Sequence, residues 1–199
     1  MKSSADVDHV VRAAAGQTLT VTLKPSNPQN YFSVIPPVSD LAMYVGQTAD
    51  NFTGVLPTDG DYTVRVYLMR SAARRNESSH YTLAVAVTGK PLPPLPASKG
   101  VLLPGTPFHA LAQIPCMPAF DPEPQQCEAF VIHRGLDGTA TVEVHGSGNL
   151  QRRILFVQGK PIAADATDPL TFSRQGDLAI VKIGAAERYE IPDALLTGG

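Results

Sequence analysis

The residues with the clearest chemical capacity are three closely spaced arginines, Arg70, Arg74 and Arg75, with Ser71 between the first two. A guanidinium is planar, stays charged at physiological pH and can bind one carboxylate through two hydrogen bonds. Because three such groups stand within six residues, this stretch predicts a local surface that recognises acidic groups.

The segments on either side of the arginines read as strands that carry them to one end of a sheet. From 61 to 69 apolar residues alternate with mostly polar ones, the period-2 pattern of a half-buried strand. The run from 80 to 87 alternates in the same way, so the arginines connect two strands of one sheet. The residues expected to face inward on the first strand are Tyr62, Val64, Val66 and Leu68.

Between these strands the sequence predicts one helical turn around 71–75, with a serine as its cap and two alanines as good helix formers. Residues four apart share one side of a helix, so the turn would present Arg70 and Arg74 together. The alternative is a solvated loop in which the arginines pair with Glu77 and Asp61, an arrangement that contributes little stability.

The block from 53 to 87 carries a specific combination of motifs. A Leu-Pro-x-x-Gly-x-Tyr turn occupies 56–62, an Arg-Val pair follows at 65–66, and Arg70 and Arg74 form an Arg-x-x-x-Arg pair. Weaker matches are Ala15-Gly16-Gln17 and Asn30-Tyr31-Phe32. On these residues the N-terminal part of the chain, roughly 7–88, resembles the periplasmic bacterial inhibitors of goose-type lysozyme.

The resemblance implies a protein that inhibits by protein–protein contact, without catalysis and without a cofactor. A glycoside hydrolase works with carboxyl groups in its substrate cleft, and the matching arginine pair of the family enters that cleft. This role carries over to Arg70 and Arg74, with Ser71 and Arg75 as secondary contacts. The implied partner is a goose-type lysozyme, and contact with peptidoglycan stays open.

The bulk composition excludes some partner classes. Of 199 residues only 17% are charged, and 16 basic residues against 18 acidic ones give no global attraction to nucleic acid or an anionic membrane. No run of 18 apolar residues occurs, so no membrane span is predicted. The first residues lack an apolar signal core, and we expect a secretion signal to have been removed.

The two cysteines, Cys116 and Cys127, are separated by ten residues that include three prolines. This spacing favours a disulfide across a surface loop over a metal site, with two unrelated buried thiols as the alternative. Such a bond contributes about 2 to 3 kcal/mol. It would indicate a periplasmic or secreted protein.

The predicted fold class is all-β. Residues 1–88 form an antiparallel, jelly-roll-like β-sandwich, 89–105 a proline-rich linker, and 106–199 a second small antiparallel β domain. Tight reversals are expected at 16–17, 59–60 and 146–149. Strands are expected at 7–14, 18–24, 31–35, 41–45, 52–56, 62–69 and 81–87, and then at 109–114, 128–133, 139–145, 152–157, 170–173, 178–183 and 188–191.

Two other functions compete with inhibition. Exposed tyrosines such as Tyr44 and Tyr67 would suit a non-catalytic cell-envelope or carbohydrate-binding module, although the chain has no tryptophan for sugar stacking. An enzyme would have to use His133 and His145, which could face each other across a hairpin but have no further metal ligand at suitable spacing. The C-terminal part loosely resembles uncharacterised bacterial secreted proteins, which implies no activity.

Overall fold

The computed structural model describes residues 6–46, 51–121, 123–146 and 150–198. The chain divides into two compact units, Met1–Lys90 and Pro91–Gly199, and the boundary between them falls inside the proline-rich segment. Both units are built from antiparallel strands, so the predicted all-β class is confirmed. Within the described residues no helix is long and apolar enough to cross a membrane.

The first unit is a sandwich of a four-stranded sheet, in the order β1-β6-β3-β4, and a three-stranded sheet, β5-β2-β7. Each predicted range contains a strand, although the fourth strand is shorter than expected. The prediction that the arginines connect two strands of one sheet is wrong, because the strand before them, β6, and the strand after them, β7, belong to different sheets of the sandwich. The elements are β1 (Val7–Ala13), β2 (Thr18–Pro25), β3 (Asn30–Ile35), β4 (Tyr44–Val45), β5 (Asn51–Val55), β6 (Gly60–Leu68), α1 (Arg70–Arg74) and β7 (Tyr81–Thr88).

The core of this unit lies between the two sheets and follows the predicted alternation. The side chains of Tyr62, Val64 and Val66 on β6 are fully buried, and Leu19 and Val21 on β2 pack into the same cluster. Burying a large apolar side chain stabilises the folded state by about 1.5 to 3 kcal/mol. The apolar face of β6 therefore fixes its register, and with it the point at which the chain leaves the sheet.

The predicted reversal before β6 depends on Gly60. Its φ is +142°, in the region that favours glycine, and a Cβ there would lie 2.7 Å from Pro37 Cγ. The side chain of Tyr62 closes the same corner by donating from Oη to the carbonyl of Thr58 at 2.8 Å. The 56–62 motif thus builds the turn that starts β6. The reversal predicted at 146–149 falls mostly on 147–149, outside the described residues.

The second unit contains one strand more than predicted. Its eight strands form one sheet in the order β12-β11-β10-β9-β8-β15-β14-β13. The edge strands β12 and β13 contact each other, so the sheet is nearly closed. The sequence analysis did not predict β12 or α2. The elements are β8 (Ala110–Met117), β9 (Gln125–His133), β10 (Ala140–His145), β11 (Gln151–Val157), β12 (Lys160–Ala164), β13 (Leu170–Gln175), β14 (Leu178–Ile183), β15 (Glu187–Pro192) and α2 (Asp193–Thr197).

The predicted disulfide joins the neighbouring strands β8 and β9. Cys116 and Cys127 are bonded, with their Cα atoms 5.9 Å apart, and both are almost fully buried. The bond closes the proline-containing loop between these strands. Its presence excludes the alternative of two free thiols.

A buried ionic network lies at one end of the eight-stranded sheet. Arg152 Nε and Nη2 donate to the two carboxylate oxygens of Glu187 at 2.9 and 2.8 Å. Nη1 of the same guanidinium donates to both the carbonyl and the carboxylate of Asp165. Burial disfavours the charged guanidinium, but the hydrogen bonds to Glu187 and the charge of Asp165 outweigh it and raise the pKa of Arg152.

The next residue extends this network to the opposite face of β11. Arg153 Nε donates to Glu143 Oε2 at 2.8 Å, and its Nη1 donates to Asp165 Oδ2 at 3.2 Å. Tyr189 Oη donates to Glu187 Oε2 at 2.8 Å, and burial together with the charge of Glu187 raises the pKa of Tyr189. Asp165 therefore links two arginines whose charges would otherwise be costly to bury.

The proline-rich segment is hydrogen-bonded to the second unit. Leu95 N–H donates to the carbonyl of His133 at 2.8 Å, and Arg134 Nη1 donates to the carbonyl of Leu92 at 2.6 Å. At these points the segment follows the surface of the eight-stranded sheet.

Candidate functional site

We call residues 69–77, which follow β6, the arginine turn. Met69 precedes the helix in an extended conformation, with φ −55° and ψ 142°, and its N–H donates to the carbonyl of Gln29 at 2.9 Å. The helix begins at Arg70, one residue earlier than the predicted turn, and no side chain caps it. The expectation that Ser71 acts as a cap is therefore wrong, because Ser71 lies inside the helix.

The end of the arginine turn is set by Asn76. Its N–H donates to the carbonyl of Ala73 at 3.0 Å, and the next N–H, of Glu77, donates to the carbonyl of Ala72 at 3.2 Å. This pair of bonds is the Schellman arrangement, and it requires a left-handed residue after the helix. Asn76 provides it with φ +56°. Ala72 is fully buried, so one side of the helix is fixed against the sandwich.

A set of polar side chains, which we call the clasp, ties the turn to the loop before β3. Gln29 Oε1 accepts hydrogen bonds from Ser71 Oγ at 3.0 Å and from Arg75 Nη2 at 3.1 Å. Arg75 Nε also donates to Glu77 Oε1 at 2.5 Å. Asn27 Nδ2 donates to Glu77 Oε2 at 2.8 Å, and Asn27 Oδ1 accepts from the N–H of Gln29 at 2.9 Å.

Arg70 and Arg74 are left outside the clasp. Both side chains are exposed, and among the described residues neither guanidinium has a hydrogen bond or an ion pair. They stand at the first and last positions of α1, four residues apart, and therefore share one side of the helix. The turn thus presents two cations that the rest of the described fold does not neutralise.

The structure divides the four predicted contact residues into two pairs. Ser71 and Arg75 bind Gln29, so their polar groups hold the turn in place, whereas Arg70 and Arg74 remain available. The solvated-loop alternative applies in part, because Arg75 does pair with Glu77, but Asp61 pairs with Arg12 at 3.2 Å. The sequence analysis missed the role of Gln29. The only feature of this residue that could have indicated it is its position in a polar, proline-containing loop.

Loss of the Gln29 side chain is expected to weaken the positioning of the arginines without removing them. The Gln29→Ala variant loses two hydrogen bonds of about 0.5 to 1.5 kcal/mol each. The combined loss of about 1 to 3 kcal/mol sets the scale of the effect, so any activity that depends on Arg70 and Arg74 should fall by at most roughly 5- to 160-fold, as measured by the inhibition constant in the assay described below. The variant Gln113→Ala, which changes an exposed glutamine on β8, serves as the control. An unchanged constant for Gln29→Ala would contradict a positioning role for the clasp.

Glu77 makes the clasp sensitive to acid. Hydrogen bonds from Asn27 and, next in size, from Arg75 lower the pKa of the Glu77 carboxyl below its ordinary value of 4.5. A carboxylate of this kind stabilises the folded state above its ordinary pKa, and the contribution is lost as the pH falls through the lowered value. We expect the side-chain amide signals of Asn27, followed by NMR, to stay constant above pH 4.5 and to shift below it. The same acid-dependent shift in a Glu77→Gln variant would contradict this assignment.

The aromatic platform suggested by Tyr44 and Tyr67 is not formed. Tyr44 is paired with Val34 and packs on the core side, with its ring 5.1 Å from that of Phe32. Tyr67 lies on the other face of the same sheet, beside Tyr31, with ring centroids 6.3 Å apart. These two tyrosines therefore do not share a surface on which a sugar would stack.

The histidine pair proposed for an enzyme is also separated. In the β9–β10 ladder His133 lies opposite Ala140, whereas His145 lies opposite Glu128 at the other end. His145 Nε2 bonds with Glu143 Oε1 at 2.7 Å. Among the described residues no group of three or more His, Cys, Asp or Glu side chains is placed to hold a metal ion.

Comparison with known proteins gives a partial match. No protein-family model matches the chain, and no curated protein matches it. Three solved structures of PliG, a periplasmic inhibitor of g-type lysozyme, are similar to 44% of this chain. The Aeromonas hydrophila protein is 29% identical over 80% of its own length, with a TM-score of 0.42. An Escherichia coli mutant and the Salmonella Typhimurium protein are each 22% identical, over 81% and 84% of their lengths, with TM-scores of 0.34.

Proposed function

We propose that the N-terminal unit inhibits a goose-type lysozyme by inserting the arginine turn into the acidic substrate cleft of that enzyme. The observation that carries the proposal is the exposure of Arg70 and Arg74 on a turn in which Ser71, Arg75 and Glu77 are engaged in the clasp. The motifs between 53 and 87 support the same role, because they resemble those of periplasmic goose-type lysozyme inhibitors.

The chemistry of the target suits two guanidiniums. A glycoside hydrolase needs carboxyl groups at the scissile bond, one of which must hold a proton. A guanidinium placed beside such a carboxyl binds its ionised form through two hydrogen bonds and opposes protonation. The inserted turn would also occupy the space that the sugar polymer needs. Arg70 and Arg74 would therefore block both substrate binding and the acid step.

The clasp contributes by reducing the cost of binding. Immobilising a long side chain or a mobile loop on association costs about 0.5 to 1.5 kcal/mol for each such group. The Schellman bonds and the hydrogen bonds of Gln29 order the backbone of the turn before it meets a partner. The two free arginines then lose only their own side-chain freedom on binding.

The same proposal includes a periplasmic or secreted location. The Cys116–Cys127 disulfide supports it, because such bonds persist in oxidising compartments and are rare in the cytosol. A goose-type lysozyme that attacks the cell wall would be met in the same compartment.

The test is inhibition of a goose-type lysozyme by the full chain, with a chicken-type lysozyme as the specificity control, at low and at high salt. We expect inhibition of the goose-type enzyme alone. It should weaken at high salt, because salt screens contacts between guanidinium and carboxylate groups at a partly exposed interface. Full lysozyme activity at a saturating concentration of the protein would refute the proposal.

A further inference from the structure

A cavity of about 640 Å³ lies in the second unit, between the proline-rich segment, β8 and α2. Its lining is mainly apolar and includes Leu95 and the buried Leu195, with Val101 and Leu136 at its solvent-exposed rim. Small-molecule sites typically measure about 300 to 1,000 Å³, are lined by apolar groups with a few placed polar ones, and often lie in the mouths of β-barrels. The size and the mainly apolar lining of this cavity match that description.

His133 is the polar group buried in the wall of the cavity. Its side chain is 7% exposed, and Nε2 bonds with the carbonyl of Leu195 at 3.0 Å. A carbonyl only accepts, so Nε2 carries a proton, and Nδ1 is the ring nitrogen left for a further partner. No described residue donates to that nitrogen. Gly198 lies beside this ring, and a Cβ at that position would lie 3.2 Å from Cε1 and 3.5 Å from Nδ1.

The neighbouring imidazole of His109 holds this arrangement in place. The N–H of His133 donates to His109 Nδ1 at 3.2 Å, and His109 Nε2 bonds with the carbonyl of Leu95 at 3.1 Å. Both ring nitrogens of His109 are thus occupied by the protein itself. The two rings lie 5.4 Å apart, and the proline-rich segment is fixed as one wall of the cavity.

The charge of the lining restricts the chemistry of the occupant. Lys99 lines the cavity and is exposed to solvent. Among the described residues that line the cavity none is acidic. A carboxylate would complement the Lys99 ammonium and, once Nδ1 has taken up a proton, the imidazole, whereas an ammonium would be repelled by Lys99 and would meet no acidic side chain.

We propose that this cavity binds a small apolar molecule with a carboxyl head group. The apolar part lies against the leucines, and the carboxyl group lies between His133 Nδ1 and the Lys99 ammonium. A carboxylate has no proton to donate, so its binding is accompanied by uptake of one proton from solvent onto Nδ1, which then donates to a carboxylate oxygen. This site is separate from the arginine turn, and its occupancy does not depend on lysozyme inhibition.

Titration of the full chain with sodium octanoate tests the proposal, with the imidazole signals of nitrogen-15-labelled histidine as the readout. We expect a saturable shift of the His133 signal, and at least tenfold weaker binding in His133→Gln. That variant can still donate to the carbonyl of Leu195, but it has no ring nitrogen at the position of Nδ1 and cannot take up a proton there. Lys99→Met, at an exposed position, should also weaken binding, and Lys160→Met on β12 should not.

Octylamine, which has a similar apolar chain and the opposite charge, is the matched control ligand. Three results would overturn the proposal: no saturable shift at millimolar octanoate, equal affinity for octylamine, or unchanged octanoate binding in both His133→Gln and Lys99→Met. Lys99 is exposed, so the Lys99→Met variant should fold and can test the proposal even if His133→Gln does not fold.

Discussion

Replacing Arg70 and Arg74 together by alanine is expected to abolish most of the inhibition of a goose-type lysozyme. Each guanidinium would lose charge-assisted hydrogen bonds worth about 1.5 to 3 kcal/mol. The combined loss of about 3 to 6 kcal/mol corresponds to an inhibition constant raised roughly 10²- to 10⁴-fold. The thermal stability of the variant should be unchanged, because neither side chain has a partner among the described residues.

The charge-matched control is Arg12→Ala/Arg174→Ala. It also removes two exposed arginines, but these pair with Asp61 and Asp193 and lie outside the arginine turn. Inhibition by this control should stay close to that of the natural chain if the effect depends on position and not on net charge. Equal losses in the two double variants would show that the turn has no special role, and a fully active Arg70→Ala/Arg74→Ala protein would exclude the proposed contact.

The second large effect is expected in the other unit, at Arg152. An Arg152→Met variant leaves Glu187 without its bidentate partner and removes one of the two arginines that contact Asp165. Removing one partner of a buried ion pair typically lowers the free energy of unfolding by about 3 to 5 kcal/mol. We expect a loss of this size in the free energy of unfolding of the second unit, measured by urea denaturation. The buried Tyr189 reports on this unit by NMR, and the buried Tyr62 reports on the first.

Two comparison variants show whether the loss in the free energy of unfolding comes from the unpaired carboxylate of Glu187. Arg174→Met breaks an ion pair with Asp193 that is more than one-third exposed on each side, and it should cost less than about 1 kcal/mol. The double variant Arg152→Met/Glu187→Met should be more stable than Arg152→Met alone, since it no longer buries an unpaired carboxylate. A loss below 1 kcal/mol in Arg152→Met would contradict a stabilising role for the network.

The strands were predictable because alternation of apolar and polar residues is a local property. The run before the arginine turn and the run after it both became strands, β6 and β7. Strand β12 was missed, since Lys160–Ala164 is short, contains a proline and lies at a sheet edge where pairing on one side suffices. Helix α2 was missed as well, although Gly198 follows it in the left-handed conformation that is typical of a helix C-terminus.

The candidate site was predictable only in part. The arginines and their four-residue spacing are visible in the chain, and so is the serine between them. Their division into anchoring and free groups depends on Gln29, which lies more than forty residues earlier in the sequence. No local pattern links these positions, because the antiparallel pairing of β3 with β6 is what brings them together.

The sequence by itself determined the all-β class, the segment that resembles lysozyme inhibitors, the arginine pair and the cysteine pair, because each is expressed in local spacing or residue type. Only the tertiary structure decided which arginines are free, how Arg152 and Arg153 are neutralised inside the second unit, and where His133 faces a cavity. These properties arise from contacts between side chains that are distant in sequence. The geometry of those contacts is set by the packing of the whole sheet.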